Sequence, residues 1–136
     1  MQLKNILHVD DHSDILVVAQ LALERLGDYA VTTCTSGNEM LAAVKAKRPD
    51  LILLDVMMPR MDGLAALKLL RELPEGHDLP VIFVTANIQP DDVAQYRKHG
   101  AIGVITKPFN PMTLARTIAT LWNQHQEALN APNPAT

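Results

Sequence analysis

Five short runs of apolar residues recur along the chain, and each is followed by a stretch whose apolar side chains repeat at helical spacing. A run of four or five apolar residues is too short for a buried helix and fits a strand, whereas repeats at i, i+3, i+4 and i+7 fit an amphipathic helix. Asn5 to Val9 reads as the first strand. Ser13 or Asp14 can cap a helix carrying Ile15, Ala19, Ala22 and Leu26, which Gly27 stops. Tyr29 to Cys34 is the second strand, and Ser36 caps a helix through Met40, Leu41 and Val44. Leu51 to Leu54 is apolar without alternation, which predicts a strand buried on both faces. A loop from Asp55 to Met61 leads through Asp62-Gly63 into a helix with Leu64, Leu67 and Leu70. Pro80 to Val84 is the fourth strand. Pro90 suits the first position of a helix ending at Gly100, and Ile102 to Thr106 is the fifth strand. Asn110-Pro111 is expected to cap and start the last helix, with Leu114, Ile118 and Leu121 on one face.

Strict strand–helix alternation implies an α/β fold with a mostly parallel sheet covered by helices on both faces and right-handed crossovers. Five units favour a doubly wound, five-stranded sheet in the flavodoxin-like order 2-1-3-4-5. The 136 residues, 48% of them apolar, suffice for one domain with one well-packed core. That domain is assigned to residues 1–125, with 126–136 as a C-terminal tail; residues 130–136, rich in Asn, Ala and Pro, are expected to be disordered.

Charge narrows the function classes. The net charge is -3, and the basic residues cluster only at Lys45/Lys47/Arg48 and Arg97/Lys98, which read as solvated helix faces. No basic stripe predicts nucleic-acid binding. No apolar stretch approaches a membrane span, and the short apolar run before Asp10/Asp11 does not read as a signal peptide. A single cysteine, Cys34, allows no internal disulfide and no cysteine-built zinc site, which fits a cytoplasmic location.

In an open parallel sheet, sites form beyond the carboxyl ends of the strands. Those ends carry Asp10 and Asp11, then Asp55, Thr85 and Lys107. Each has a plain reading by itself: Asp10/Asp11 as a helix cap, Asp55 as a turn residue, Thr85 as a turn cap, Lys107 as a surface cation. Together they put three carboxylates, a hydroxyl and an ammonium on one edge. Three neighbouring carboxylates repel one another, and a hard divalent cation relieves that cost; magnesium, keeping several waters, is the expected occupant. Beside a lysine, such a site can stabilise phosphoryl charge, and Asp55 can carry a phosphoryl group as an acyl phosphate.

These stretches resemble the response-regulator receiver domains of two-component signalling, the CheY-like superfamily, over roughly residues 4 to 125. HVDD (His8 to Asp11) resembles the family's acidic pair, and LILLDVMMPRMDG (Leu51 to Gly63) its phosphoacceptor strand and loop. VIFVTA (Val81 to Ala86) resembles the strand with the switch hydroxyl, and ITKPF (Ile105 to Phe109) the lysine strand. The resemblance implies that Asp55 is the phosphoacceptor. It implies that Asp11 and Asp55 bind magnesium directly, with the Met57 carbonyl as a third ligand and Asp10 acting through water. It further implies that Thr85 moves to hydrogen-bond the phosphoryl group, that Lys107 pairs with its oxygens, and that Lys107-Pro108 is cis.

Two departures stand out. Many receivers carry Tyr or Phe three residues before the lysine, where a ring rotates inward as the threonine moves; this chain has Val104. Met57 and Asn87 flank the expected path of an attacking water, and only Asn87 can orient it by a strong hydrogen bond. A receiver-like binding module not switched by phosphate is the alternative reading. Met57 two residues after Asp55 argues against an aspartyl phosphohydrolase, which would place Asp there. The acidic Asp10 to Ser13 loop argues against a flavin carrier. The expected role is a regulator rather than an enzyme, taking phosphoryl from a histidine kinase or histidine phosphotransfer protein and acting on a downstream protein not specified by the sequence. A monomer and a phosphorylation-dependent homodimer both fit, as do a stand-alone receiver and a piece of a hybrid kinase. Tyr96, His99, Val104, Leu114 and Trp122 are the candidates for partner contact, with Leu114 favoured as core.

Overall fold

The computed structural model describes residues 2–86 and 89–130. Five parallel strands, β1 (Asn5–Val9), β2 (Ala30–Cys34), β3 (Leu51–Asp55), β4 (Val81–Thr85) and β5 (Ala101–Thr106), form one sheet in the order β2-β1-β3-β4-β5. The helices are α1 (Ser13–Gly27), α2 (Gly37–Ala46), α3 (Gly63–Glu72), α4 (Pro90–Lys98) and α5 (Leu114–Asn130), with a 3-10 turn at Pro74–Gly76. This is the doubly wound order expected from the alternation.

The sheet divides two cores. Leu7, Val9, Ile52, Leu54 and Phe83 face α2, α3 and α4, while Ile6, Leu53, Ile82 and Val84 face α1 and α5. Every residue of β3 and β4 is buried, as the unbroken apolar runs required. β2 lies at the sheet edge and is largely exposed, which explains its Thr-rich sequence.

The sequence reading departs from the structure at both ends of α1 and of α5. α1 is capped by His12, not by Ser13 or Asp14, because the His12 N–H turns back to Asp10 and the helix begins one residue earlier. Its stop is Asp28, left-handed at φ 58°, and Leu26 lies exposed. α5 starts at Leu114 rather than at Pro111; Asn110 instead closes a turn by accepting the Met112 N–H. The same helix runs to Asn130, so residues 126–130, placed in the tail, are helical; residues 131–136 lie outside the described residues. Ser36 and Asp62 cap α2 and α3 as their chemistry predicts, each accepting an N–H of the first turn.

Candidate phosphoryl and metal site

Register places the site residues. Val9 pairs with Leu54, so Asp10 and Asp55 emerge side by side from β1 and β3. Asp55 pairs with Val84, and Thr85 with Thr106, which puts Thr85 and Lys107 one step farther along the same edge. The Lys107 N–H donates to the Thr85 carbonyl at 2.9 Å, and Lys107-Pro108 is cis. Asp10, Asp55 and Thr85 are all buried, whereas Asp11 is half-buried.

Lys107 organises the charges. Its Nζ donates to Asp10 Oδ2 at 2.8 Å and lies 3.2 Å from Asp55 Oδ1. Burial disfavours the ammonium, but its hydrogen bonds to Asp10 and then Asp55 outweigh that and raise its pKa. Burial likewise pushes the Asp10 carboxyl up. The hydrogen bonds from Lys107 and from the backbone and ring of His12 prevail, and hold it below the ordinary carboxylate range. Asp55 goes the other way. Burial, followed by the charge of Asp10, raises its pKa against the pull of Lys107 and the Met57 N–H. Two buried carboxylates thus share one ammonium, and Asp55 is the less satisfied of the two.

The donor set fits a hard cation. Carboxylate oxygens of Asp10, Asp11 and Asp55, with a ring nitrogen of His12, all fall within 4.8 Å of one another. Asp55 Oδ2 is buried with no hydrogen-bond partner among the described residues, an orphan acceptor that a cation would satisfy. The Met57 side chain points to solvent, 72% exposed, and cannot shield the acceptor. Asn87, the water-orienting candidate, lies outside the described residues.

Sequence reasoning passed over two residues and misplaced a third. His12 contacts Asp10 at 3.0 Å and Asp11 at 3.3 Å, and its pKa is raised by that Asp10 hydrogen bond, then by the Asp11 and Asp10 charges; its place beside an acidic pair was the available signal. His8, at the heart of β1, is buried with neither ring nitrogen hydrogen-bonded among the described residues. Tyr96, taken for a surface contact, is buried, as are Leu114 and Trp122; only His99 and Val104 of that set are partly exposed. An aromatic on an otherwise polar helix was the sign that α4 docks through it.

Comparison with known proteins agrees with this geometry. The family profile described as "Response regulator receiver domain" matches residues 6–119. The alkaline phosphatase synthesis transcriptional regulatory protein PhoP of Bacillus subtilis is 40% identical over 79% of this chain and 44% of its own length. The DNA-binding transcriptional regulator NtrC of Klebsiella pneumoniae is 38% identical over 91% of this chain and 26% of its own length. The chain thus spans between a quarter and a half of these two relatives. Among solved structures, Vibrio cholerae chemotaxis protein CheY4 superposes with a TM-score of 0.81 at 32% identity, covering 88% of this chain and 99% of that one. The signal receiver domain of a histidine kinase from Syntrophus aciditrophicus gives a TM-score of 0.75 at 32% identity, over 98% and 97% of the two chains. With the matching profile covering most of its length and the sheet order and acidic edge in place, this chain belongs to the response-regulator receiver domain family of two-component systems.

Proposed function

We propose that this domain is a switch that accepts a phosphoryl group on Asp55. The observation that carries the reading is the buried Asp55 carboxylate at the carboxyl edge of the sheet, with one oxygen held near Lys107 and the other without a hydrogen-bond partner among the described residues. In transfer from a phosphohistidine, an Asp55 oxygen attacks phosphorus, the P–N bond breaks, and the histidine nitrogen keeps the electron pair. Without a cation, burial and the neighbouring Asp10 raise the Asp55 pKa, a cost that a bound cation would offset. Lys107 already touches Asp55 and sits where an ammonium neutralises the incoming phosphoryl oxygens. Thr85, one residue beyond the partner of Asp55 in the sheet, supplies a hydroxyl for the same oxygens.

Asp11 and Asp55, with the Met57 carbonyl, would hold a magnesium ion, and Asp10 would act through a water molecule. Bound there, magnesium supplies positive charge that offsets the carboxylates and the developing phosphoryl charge. An apolar hollow of about 410 Å³ opens beside Lys107, lined by Ile15, Val18, Ala86, Pro108 and Phe109. A histidine kinase or phosphotransfer protein would present its phosphohistidine there, in the cytoplasm. No helix among the described residues is long and apolar enough to cross a membrane. A downstream protein would read the phosphorylated state.

Asp55→Asn tests the assignment. With magnesium and acetyl phosphate or phosphoramidate, the parent should incorporate phosphoryl and the variant should fall to background. Undiminished incorporation in the variant would move the acceptor elsewhere.

A further inference from the structure

Position 104, where the receiver resemblance leads one to expect an aromatic ring, holds a valine packed half-buried against the core beneath α4. The ring is supplied from another direction. Tyr96 projects from α4 into the same core and packs against Phe83, with ring centroids 4.8 Å apart and planes tilted by 49°. Phe83 is the residue that pairs with Val104 across the sheet, so Tyr96 fills space beside the short valine. A hydrogen bond joins the hydroxyls of Tyr96 and Thr85, both on buried side chains. Tyr96 is also the one fully buried residue of α4, whose remaining side chains are half-buried or exposed. The helix is therefore anchored to the body largely through the group that touches Thr85.

We propose that Tyr96 positions Thr85 in the unphosphorylated state and couples α4 to Asp55, doing from the helix what an aromatic on β5 would otherwise do. The idea rests on Asp55 being the acceptor. A threonine hydroxyl has a single proton to donate, and phosphoryl oxygens only accept. Once a phosphoryl group stands on Asp55, it competes with the Tyr96 hydroxyl for Thr85. The Thr85 hydroxyl, which gives its proton to the phenol oxygen in the free state, turns and moves to the phosphoryl oxygen, so the Tyr96 phenol loses that donor and the anchor of α4 is free to reposition. A buried phenol without a partner is costly, so the tyrosine gains by moving its hydroxyl towards water, and α4 moves with it. Val104, short and stiff at its single side-chain torsion, takes no part in that motion.

Tyr96→Phe keeps the ring on Phe83 and removes only the hydroxyl. Backbone amide shifts are recorded with magnesium while beryllofluoride, a phosphoryl mimic, is titrated. In the parent, amides 55–57 and 106–107 report the mimic at Asp55, and amides 90–98 report α4. Tyr96→Phe should bind beryllofluoride about two- to tenfold more tightly, the worth of the one hydrogen bond Thr85 no longer gives up. Its α4 amides should already lie displaced towards the mimic-bound positions before any is added. Thr85→Val breaks the same bond from the other side, so its unliganded α4 amides should shift in the same direction. Equal or weaker beryllofluoride affinity in Tyr96→Phe, or an α4 response identical to the parent, would overturn the coupling while leaving the acceptor in place. A parent with no response at 55–57 and 106–107 would remove the acceptor assignment, and the coupling with it.

Discussion

His8 shows how one residue can set acid tolerance. Burial lowers its pKa from 6.5 to about 4, Asp10 opposing and Lys107 assisting. Because the folded value lies below the unfolded one, the unfolded chain takes up the proton first as pH falls. Stability is therefore intact above pH 6.5, declines between 6.5 and 4, and loses no more from this group below that. From pH 7 to pH 5 the loss from His8 should be roughly 2 kcal/mol. His8→Leu, similar in size and without a titrating ring, should lack that component. Urea unfolding of parent and variant at both pH values, in a chelator, measures it; parallel pH dependence in the two would show that His8 charges freely in the fold.

At the scale of elements, the junction of β3 and α3 decides where Asp55 points. The Gly63 N–H donates to the Val56 carbonyl at 2.8 Å, drawing the start of α3 onto the end of β3. The approach is close enough that a Cβ at Gly63 would sit 2.5 Å from the Asp55 carbonyl oxygen and 2.8 Å from the Val56 Cα. Backbone rather than a flexible side chain is in the way, so the loop must shift. Gly63→Ala should cost about 1–3 kcal/mol, as over-packing does, and should weaken magnesium binding because the displaced atoms belong to Asp55. Denaturant midpoints, with and without magnesium, test both effects. A variant as stable as the parent and equally responsive to the ion would mean the junction yields easily. Arg71 plays a comparable part at the opposite end of the sheet, donating to the carbonyls of Gly76 and Leu79 and so tying the loop before β4 to α3.

For the whole molecule, the acidic edge links metal binding to folding. The folded chain gathers Asp10, Asp11 and Asp55 into one cluster, and the unfolded chain does not, so a cation at that cluster stabilises the fold. At ten times its dissociation constant, magnesium should add about 1.4 kcal/mol. In a domain of this length that is a rise in Tm of roughly 3–6 °C. Asp11→Asn should diminish the rise and, by removing one like charge, should not lower the metal-free Tm. A parent Tm indifferent to millimolar magnesium would contradict the metal site.

Much of this was written into local sequence. The unbroken apolarity of Leu51 to Leu54 and Val81 to Val84 already required strands buried on both faces, and five strand–helix alternations left few sheet orders to choose from. The edge residues Asp10, Asp55, Thr85 and Lys107 were legible because a parallel sheet delivers its strand ends to one side. Helix ends were read less well: α1 starts where His12 bonds back to Asp10, and α5 runs five residues beyond the assigned domain end although residues 127–130 are exposed. The burial of Tyr96 and its bond to Thr85 belong wholly to tertiary structure. Helical periodicity says which side chains share a face, but not that a phenol eleven positions on will meet the hydroxyl at the end of a strand. That meeting depends on how α4 packs across β4 and β5, where Val104 leaves room for the ring.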